Sequence, residues 1–425
     1  MLRGCACVVV LAAGALLDAQ PAVEPEGLLG RIQARMREAL SRLPDHVCLQ
    51  TVYRHRSLAL EKPFQPLDTL KLEVGLAGNK EIFAWRDARR FAEKDLPDLV
   101  GSGAIGTGNF GLHARSVFLA GSAEYAYRGE VDLDGRRAFL YDYEVPQEQS
   151  RYHVRLGNRE AIVGYTGSFW VDRETLDLIR LEVRAEDIPD VIGLAHVTDV
   201  MDYQRVAIGP SEFLLPRSSV LTLAAASGER NRNRTEFSGC RQFVGEASVR
   251  FEEAPPSERP VEPEAAPEPA LLRLPARLVL DLSLATEIEM ETAAAGDPVR
   301  ALLARPLRHG DRILAPEGAA VLGRLVRVEK HAHPVDHYQI GLQFDTLETG
   351  GGRTEFLATL EEVSSAAGLM RQAKRLDPTF KKQRQARLQI LVREHPRGQG
   401  VLHWEAKHAR IRPGLRMKWV TEGER

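Results

Sequence analysis

Apolar residues recur at every second position through most of the first 250 residues. In the stretch from Ala161 to Pro189, Ile179, Leu181 and Val183 alternate with Arg180, Glu182 and Arg184. That period predicts a strand with one buried face. Phe169 and Val171 continue the apolar row ahead of a polar turn, Asp172 to Asp177, whose side chains bond their own backbone. Leu70, Leu72 and Val74 form a second row within Thr69–Leu76, and Phe139, Tyr141, Tyr143 and Val145 a third within Arg137–Val145. Gly78-Asn79, Asp134-Gly135, Gly157-Asn158, Gly209-Pro210 and Ser227-Gly228 supply turns between such rows.

The rhythm differs at Glu26–Leu43, where Leu28, Leu29, Ile32, Met36, Leu40 and Leu43 follow helical spacing up to Pro44. A helix followed by roughly ten antiparallel strands has an evident packing solution. The sheet curls into an open half-barrel, and the helix fills part of its concave face. The expected class is therefore mainly β (α+β), with Leu70, Leu72, Val74, Phe139, Tyr141, Tyr143, Phe169, Val171, Ile179, Leu181 and Val183 lining the concavity.

Proline, glutamate and alanine dominate residues 252–275, the composition of an extended linker. Strand patterns resume beyond it at Ile313–Ala315, Ala320–Val328, Tyr338–Leu347 and Thr354–Glu361, which predicts a second, small β-barrel over residues 276–421. A basic insertion at about 364–398 interrupts it. Its Lys381, Lys382, Arg384 and Arg387 are either plain solvated charge or a contact for an anionic polymer or lipid head group.

Residues 1–20 have the form of a secretory signal: Arg3, an apolar run from Val8 to Leu17, and Ala19 for cleavage. No apolar run in the chain is long enough to span a bilayer comfortably. Removal of the signal takes Cys5 and Cys7 and leaves Cys48 and Cys240, at the two ends of the strand series and assigned to residues 21–251. These are expected to form a disulfide, the alternative being two separately buried thiols. The whole chain of 425 residues is 44% hydrophobic and 27% charged, with a net charge of -2, which argues against general nucleic-acid binding.

The helix, the segment Pro44-Asp-His-Val-Cys-Leu-Gln-Thr51 and the strands containing GSFWVDRETLDLIRLE together resemble the lipoprotein-carrier (LolA-like) half-barrels of Gram-negative envelopes. The resemblance spans about residues 26 to 250. It implies an exported, non-enzymatic protein that holds lipid or acyl chains on an apolar concave surface. The implied location is the periplasm or outer-membrane periphery, with no cofactor. In the second half, ILAPEG and GRLVRV followed by IGLQFDTL resemble the small C-terminal barrel of TrbI-type conjugation scaffold proteins. That resemblance implies docking to an envelope protein. A structural scaffold without ligand stands beside the carrier reading.

Other chemistry is thinly represented. Gly101, Gly103 and Gly106 match G-x-G-x-x-G without the strand or helix a dinucleotide needs. With Gly108 and Gly111 they read instead as a lid loop at the mouth of the half-barrel. His331, His333 and His337 are the weak metal candidates, and exposed loop histidines are the simpler reading. Asp172, Glu174 and Asp177 belong to a turn rather than to an acid–base pair.

Overall fold

A computed structural model describes residues 24–77, 80–87, 91, 96–100, 104–157, 159–243, 274–332, 335–349, 352–370, 372–373, 390–391 and 395–423. The signal segment, nearly all of the 252–275 linker, Gly101, Gly103, His333, Lys381, Lys382, Arg384 and Arg387 lie outside the described residues.

Helix α1, Leu28–Ser41, precedes the strands β1 (His46–Ser57), β2 (Gln65–Ala77) and β3 (Lys80–Trp85). Two short helices follow, α2 (Leu96–Val100) and α3 (Leu112–Leu119). The chain then forms β4 (Glu124–Leu133), β5 (Arg136–Val145), β6 (Tyr152–Leu156), β7 (Arg159–Val163), β8 (Tyr165–Asp172) and β9 (Leu178–Ala185). Three long strands close the series: β10 (Leu194–Ile208), β11 (Ser211–Ala225) and β12 (Arg230–Gln242). Ten of the twelve make one antiparallel sheet in the order β3-β2-β1-β12-β11-β10-β9-β8-β5-β4. At Asp134-Gly135 both residues have positive φ, +52° and +82°, as a two-residue hairpin requires.

The order differs from an uninterrupted meander in two places. Strands β3 and β4 are consecutive in the chain yet form opposite edges of the sheet, so the chain between them must cross. It does so carrying α2 and α3, whose buried sides join the two apolar clusters of this sheet. Strands β6 and β7 pair only with each other, a hairpin standing off the main sheet. Gly164 marks the return: a Cβ there would approach Val145 O at 3.3 Å and Gln147 N at 3.2 Å.

Register places the apolar rows on one face. Tyr141 pairs with Phe169, Phe169 with Leu181, Leu181 with Met201 and Met201 with Ser219. On the far side Cys48 pairs with Val74, and Val52 pairs with both Leu70 and Thr235. Leu28, Ile32, Met36 and Leu40 of α1 cover the first part of this row, each nearly devoid of exposure. Such burial contributes about 2 kcal/mol per side chain. The Asp177 carboxylate fixes α1 to the sheet, accepting from Arg35 Nε at 3.1 Å and from Arg205 Nε and Nη2 at 2.7 and 2.9 Å.

The first strand lies against the last, and Cys48 and Cys240 form a disulfide between them with Cα atoms 4.0 Å apart. The second sheet, built from residues beyond 274, has Leu280, Leu282, Phe344, Leu402 and Trp419 at its centre. It docks on β2 where β3 has ended. Ala295 and Leu70 form a bridge, with Lys71 N donating to Ala295 O at 2.7 Å and Ala295 N to Thr69 O at 2.9 Å. Beside it Lys71 Nζ meets Asp297 Oδ1 at 2.7 Å. Arg54 bonds Asp68 through Nε at 2.6 Å, and Arg54 Nη2 lies 3.9 Å from Glu329 of the second sheet.

Two outcomes follow from these contacts. Peptide mapping without reduction should recover Cys48 linked to Cys240, and Cys48→Ser should lose up to about 5 kcal/mol in a denaturant melt, the chain-entropy bound for so long a loop. Gly296, at φ +102°, has room for no Cβ, since one would stand 2.2 Å from Lys71 O. Gly296→Ala should therefore loosen the docking and raise amide exchange at Thr69–Lys71. Unchanged exchange there would show that the contact tolerates the side chain.

Candidate functional site

The concave face is covered unevenly. All eleven positions expected to line it are buried, but they pack in the side-chain core. Phe139, Tyr141, Tyr143, Phe169, Val171, Leu181 and Val183 lie in the cluster with α1 and α3, where Tyr141 and Phe169 stack 5.1 Å apart. Leu70, Leu72 and Val74 pack with Leu96, Val100 and Phe110. Ile179 is buried but is the unpaired residue at the register shift of β8 and β9, where Leu178 pairs with Val171 in its stead.

A cavity of about 1880 Å³ occupies a different region. Its walls are β3, α2, α3, the β6–β7 hairpin, the facing ends of β10, β11 and β12, and Glu329 and His331 from the second sheet. Phe83, Leu112, Val154, Val197, Leu221 and Leu223 supply apolar surface. Neither α1 nor any of the eleven expected positions reaches it. The hairpin that leaves the main sheet is thus what encloses this space, together with the crossing segment.

Glu81 anchors one wall. Its side chain points to the apolar side of β3, in phase with Phe83 and Trp85, and is buried. Oε2 accepts from Gly108 N at 2.7 Å, and Oε1 accepts from Phe110 N at 3.1 Å and Gly111 N at 3.0 Å. The carboxylate therefore gathers the turn that leads into α3, where a negative charge is favoured by the helix dipole. Burial still pushes Glu81 up, and these backbone donors pull it back down. Gly108 is required by the same geometry: its φ is +101°, and a Cβ would lie 2.8 Å from His113 Nε2. Asn233 Nδ2 donates to Ala104 O at 2.8 Å, and Asn109 Nδ2 to Ser219 Oγ at 2.9 Å. Gly106, Gly108 and Gly111 of the expected lid thus belong to an anchored wall.

Asp199 is the second carboxyl on the apolar phase, two residues from Val197 and Met201 on β10. It pairs in register with Val183 and Leu221 and lines the cavity while only 1% exposed. Burial, and then the Glu81 charge, push it up to about 7. Its Oδ1 and the Tyr203 hydroxyl are buried without hydrogen-bond partners. Burial also pushes His113 down to about 4, which keeps it neutral, and its ring meets Tyr152 edge-on at 5.3 Å.

Neither Glu81 nor Asp199 was singled out in the sequence. The signal was there: each is a carboxylate standing where strand alternation calls for an apolar residue.

Of the histidine candidates, His331 lines the cavity at the second sheet's side. His331 and His337 are cross-strand partners with rings 5.4 Å apart, and the ring of His403, unmarked in the sequence, lies 5.5 Å from that of His337 and tilted to it. His331 Nε2 is 3.2 Å from Glu329 Oε2. Among the described residues no group of three or more such side chains is arranged to hold a metal ion. Among them, too, no helix is long and apolar enough to cross a membrane.

No protein-family model matches the chain, and no curated protein matches it. Solved structures similar to part of it include a LolA-superfamily protein of Nitrosomonas europaea, at 11% identity and TM-score 0.28, covering 50% of this chain and 94% of that one. A putative outer-membrane lipoprotein-sorting domain of Vibrio parahaemolyticus has 11% identity and TM-score 0.29 over 52% and 95%. The lipoprotein LppX of Mycobacterium tuberculosis has 9% identity and TM-score 0.20 over 51% and 98%. Likenesses of this depth leave function to the chain's own geometry.

Asp199 gives that geometry a pH signature. Its folded value lies above the ordinary unfolded value of about 3.9, so its stabilising contribution is full below that pH and is lost as pH rises through about 7. Asp199→Asn removes the dependence. In urea melts the variant should gain on the wild type by about 1.4 kcal/mol per pH unit across that window. Parallel curves would mean that Asp199 titrates normally.

Proposed function

We propose that this protein is a non-enzymatic binding protein of the bacterial cell envelope that takes an apolar, lipid-like ligand. The observation that carries this reading is the cavity of about 1880 Å³, in which Phe83, Leu112, Val154, Val197, Leu221 and Leu223 give apolar surface among charged and polar residues; it is roughly twice the upper end of the 300–1,000 Å³ common for small-molecule sites. A space of this size left between side chains favours a ligand site over a purely structural role. The buried face under α1 shows that this fold can close its concavity with side chains where it needs to.

The ligand is held between the half-barrel and the second sheet, since Glu329 and His331 contribute to the wall. The protein works in an oxidising compartment, the periplasm or outer-membrane periphery of a Gram-negative cell. The Cys48–Cys240 disulfide supports that placement, as does the signal-like residue pattern at 1–20. The small C-terminal barrel, 276–421 by its sequence pattern, serves to dock an envelope partner, with the basic segment at 364–398 as an anionic contact.

Organic extraction of the full chain purified from its native envelope, followed by mass spectrometry, tests the binding role. Co-purifying acyl or other apolar molecules are expected in the wild type. Val197→Trp, which fills the cavity from β10, should lose them and keep the disulfide. Clean wild-type extracts, together with no uptake of an added apolar fluorophore, would leave scaffolding as the role.

A further inference from the structure

Resting on the apolar-ligand reading, one end of the cavity carries more detailed information about what it takes. Asp199 Oδ1 is an acceptor with no partner, on a side chain with 1% exposure that lines the cavity. A buried unsatisfied acceptor costs about 1–3 kcal/mol, and more when charged. Glu81 sits close enough for its charge to act on Asp199, but its own oxygens are occupied by the Gly108, Phe110 and Gly111 amides. Two carboxyl groups in one low-dielectric pocket repel each other when both are ionised. A positive charge placed beside them relieves both the repulsion and the missing hydrogen bond.

The surrounding groups do not supply that charge. His113 on α3 is held neutral by burial, and Tyr152 on β6 and Tyr203 on β10 are neutral phenols held above their usual range. Among the basic residues of the wall, Arg56 is paired with Glu229 at 2.8 Å, and Arg115 Nη2 reaches Leu40 O at 3.5 Å. Arg151, Arg155 and Lys80 are solvent-exposed. We propose that the Asp199 end of the cavity is a headgroup subsite, in which Asp199 Oδ1 accepts a hydrogen bond from the cationic amine end of an otherwise apolar ligand. An anionic headgroup in this position would face two carboxyl groups. A hydroxyl would satisfy the hydrogen bond without offsetting the repulsion.

The test is competition for the full chain against a bound apolar fluorophore, using a primary amine, an alcohol and a carboxylic acid of one chain length, each kept below its aggregation concentration. At pH 8 the amine should bind about tenfold more tightly than the alcohol, equivalent to about 1.4 kcal/mol, and the acid should bind most weakly. The preference for the amine should shrink at pH 6, where Asp199 takes up a proton. Asp199→Asn should bring the amine down to the alcohol and leave the alcohol unchanged. That unchanged alcohol affinity also reports an intact cavity. An amine that binds no better than the alcohol, or a preference that survives in Asp199→Asn, overturns the subsite and leaves the apolar-ligand reading standing. Failure of all three compounds to displace the fluorophore overturns both.

Discussion

A sheet that curls through ten strands has a concave apolar face that water cannot be allowed to wet, and the rest of this structure follows from how that face is covered. Helix α1 covers β5, β8, β9 and part of β10 with Leu28, Ile32, Met36 and Leu40. The remainder has to be covered by chain that crosses from β3, at one edge, to β4, at the other. That crossing brings α2 and α3 over the face, and the β6–β7 hairpin leaves the sheet on the opposite side of the same gap. Cover is complete under α1 and incomplete under the crossing. The cavity is the difference between them.

Polar groups decide how that incomplete cover is held. Glu81 and Asp199 occupy apolar positions of their strands, where burial disfavours their charge. Glu81 is compensated by backbone amides, and by binding them it ties the Gly108–Leu112 turn to β3. Asp199 has no such compensation at Oδ1. The two carboxyl groups differ in what surrounds them, so one serves as an anchor and the other is left facing the space that a ligand would enter. The second sheet adds a third element. Ala295 extends the pairing of β2 past the end of β3, and Glu329 and His331 complete the wall.

Much of this was legible in the sequence because it depends on local periodicity. The alternating rows at Leu70–Val74 and Phe139–Val145 share one face with Leu181 and Val183, whereas the register shift in β9 puts Leu178 in the place expected for Ile179; the turn at Asp134-Gly135 is where the pattern puts it. The disulfide was expected from the cysteine positions, and β1 does lie against β12. What stayed hidden depends on contacts between distant segments. Alternation shows which side chains face inward but not what covers them, so Tyr141 and Phe169 read as ligand lining although α1 and α3 pack over them. Gly164, Gly296 and His403 are ordinary residues until β7 turns away, Lys71 approaches and the His337 ring comes alongside. Glu81 and Asp199 were readable as exceptions to alternation, and only the fold shows that the two exceptions meet.

The central claim is that the cavity holds an apolar molecule, and electron density inside it is the most direct measurement. A crystal structure of the chain isolated from its native envelope should show continuous, elongated density between Phe83, Val154 and Leu221, with one end at Asp199. A lattice of separate ordered waters filling that volume, or a cavity closed by repacked side chains, would contradict the account.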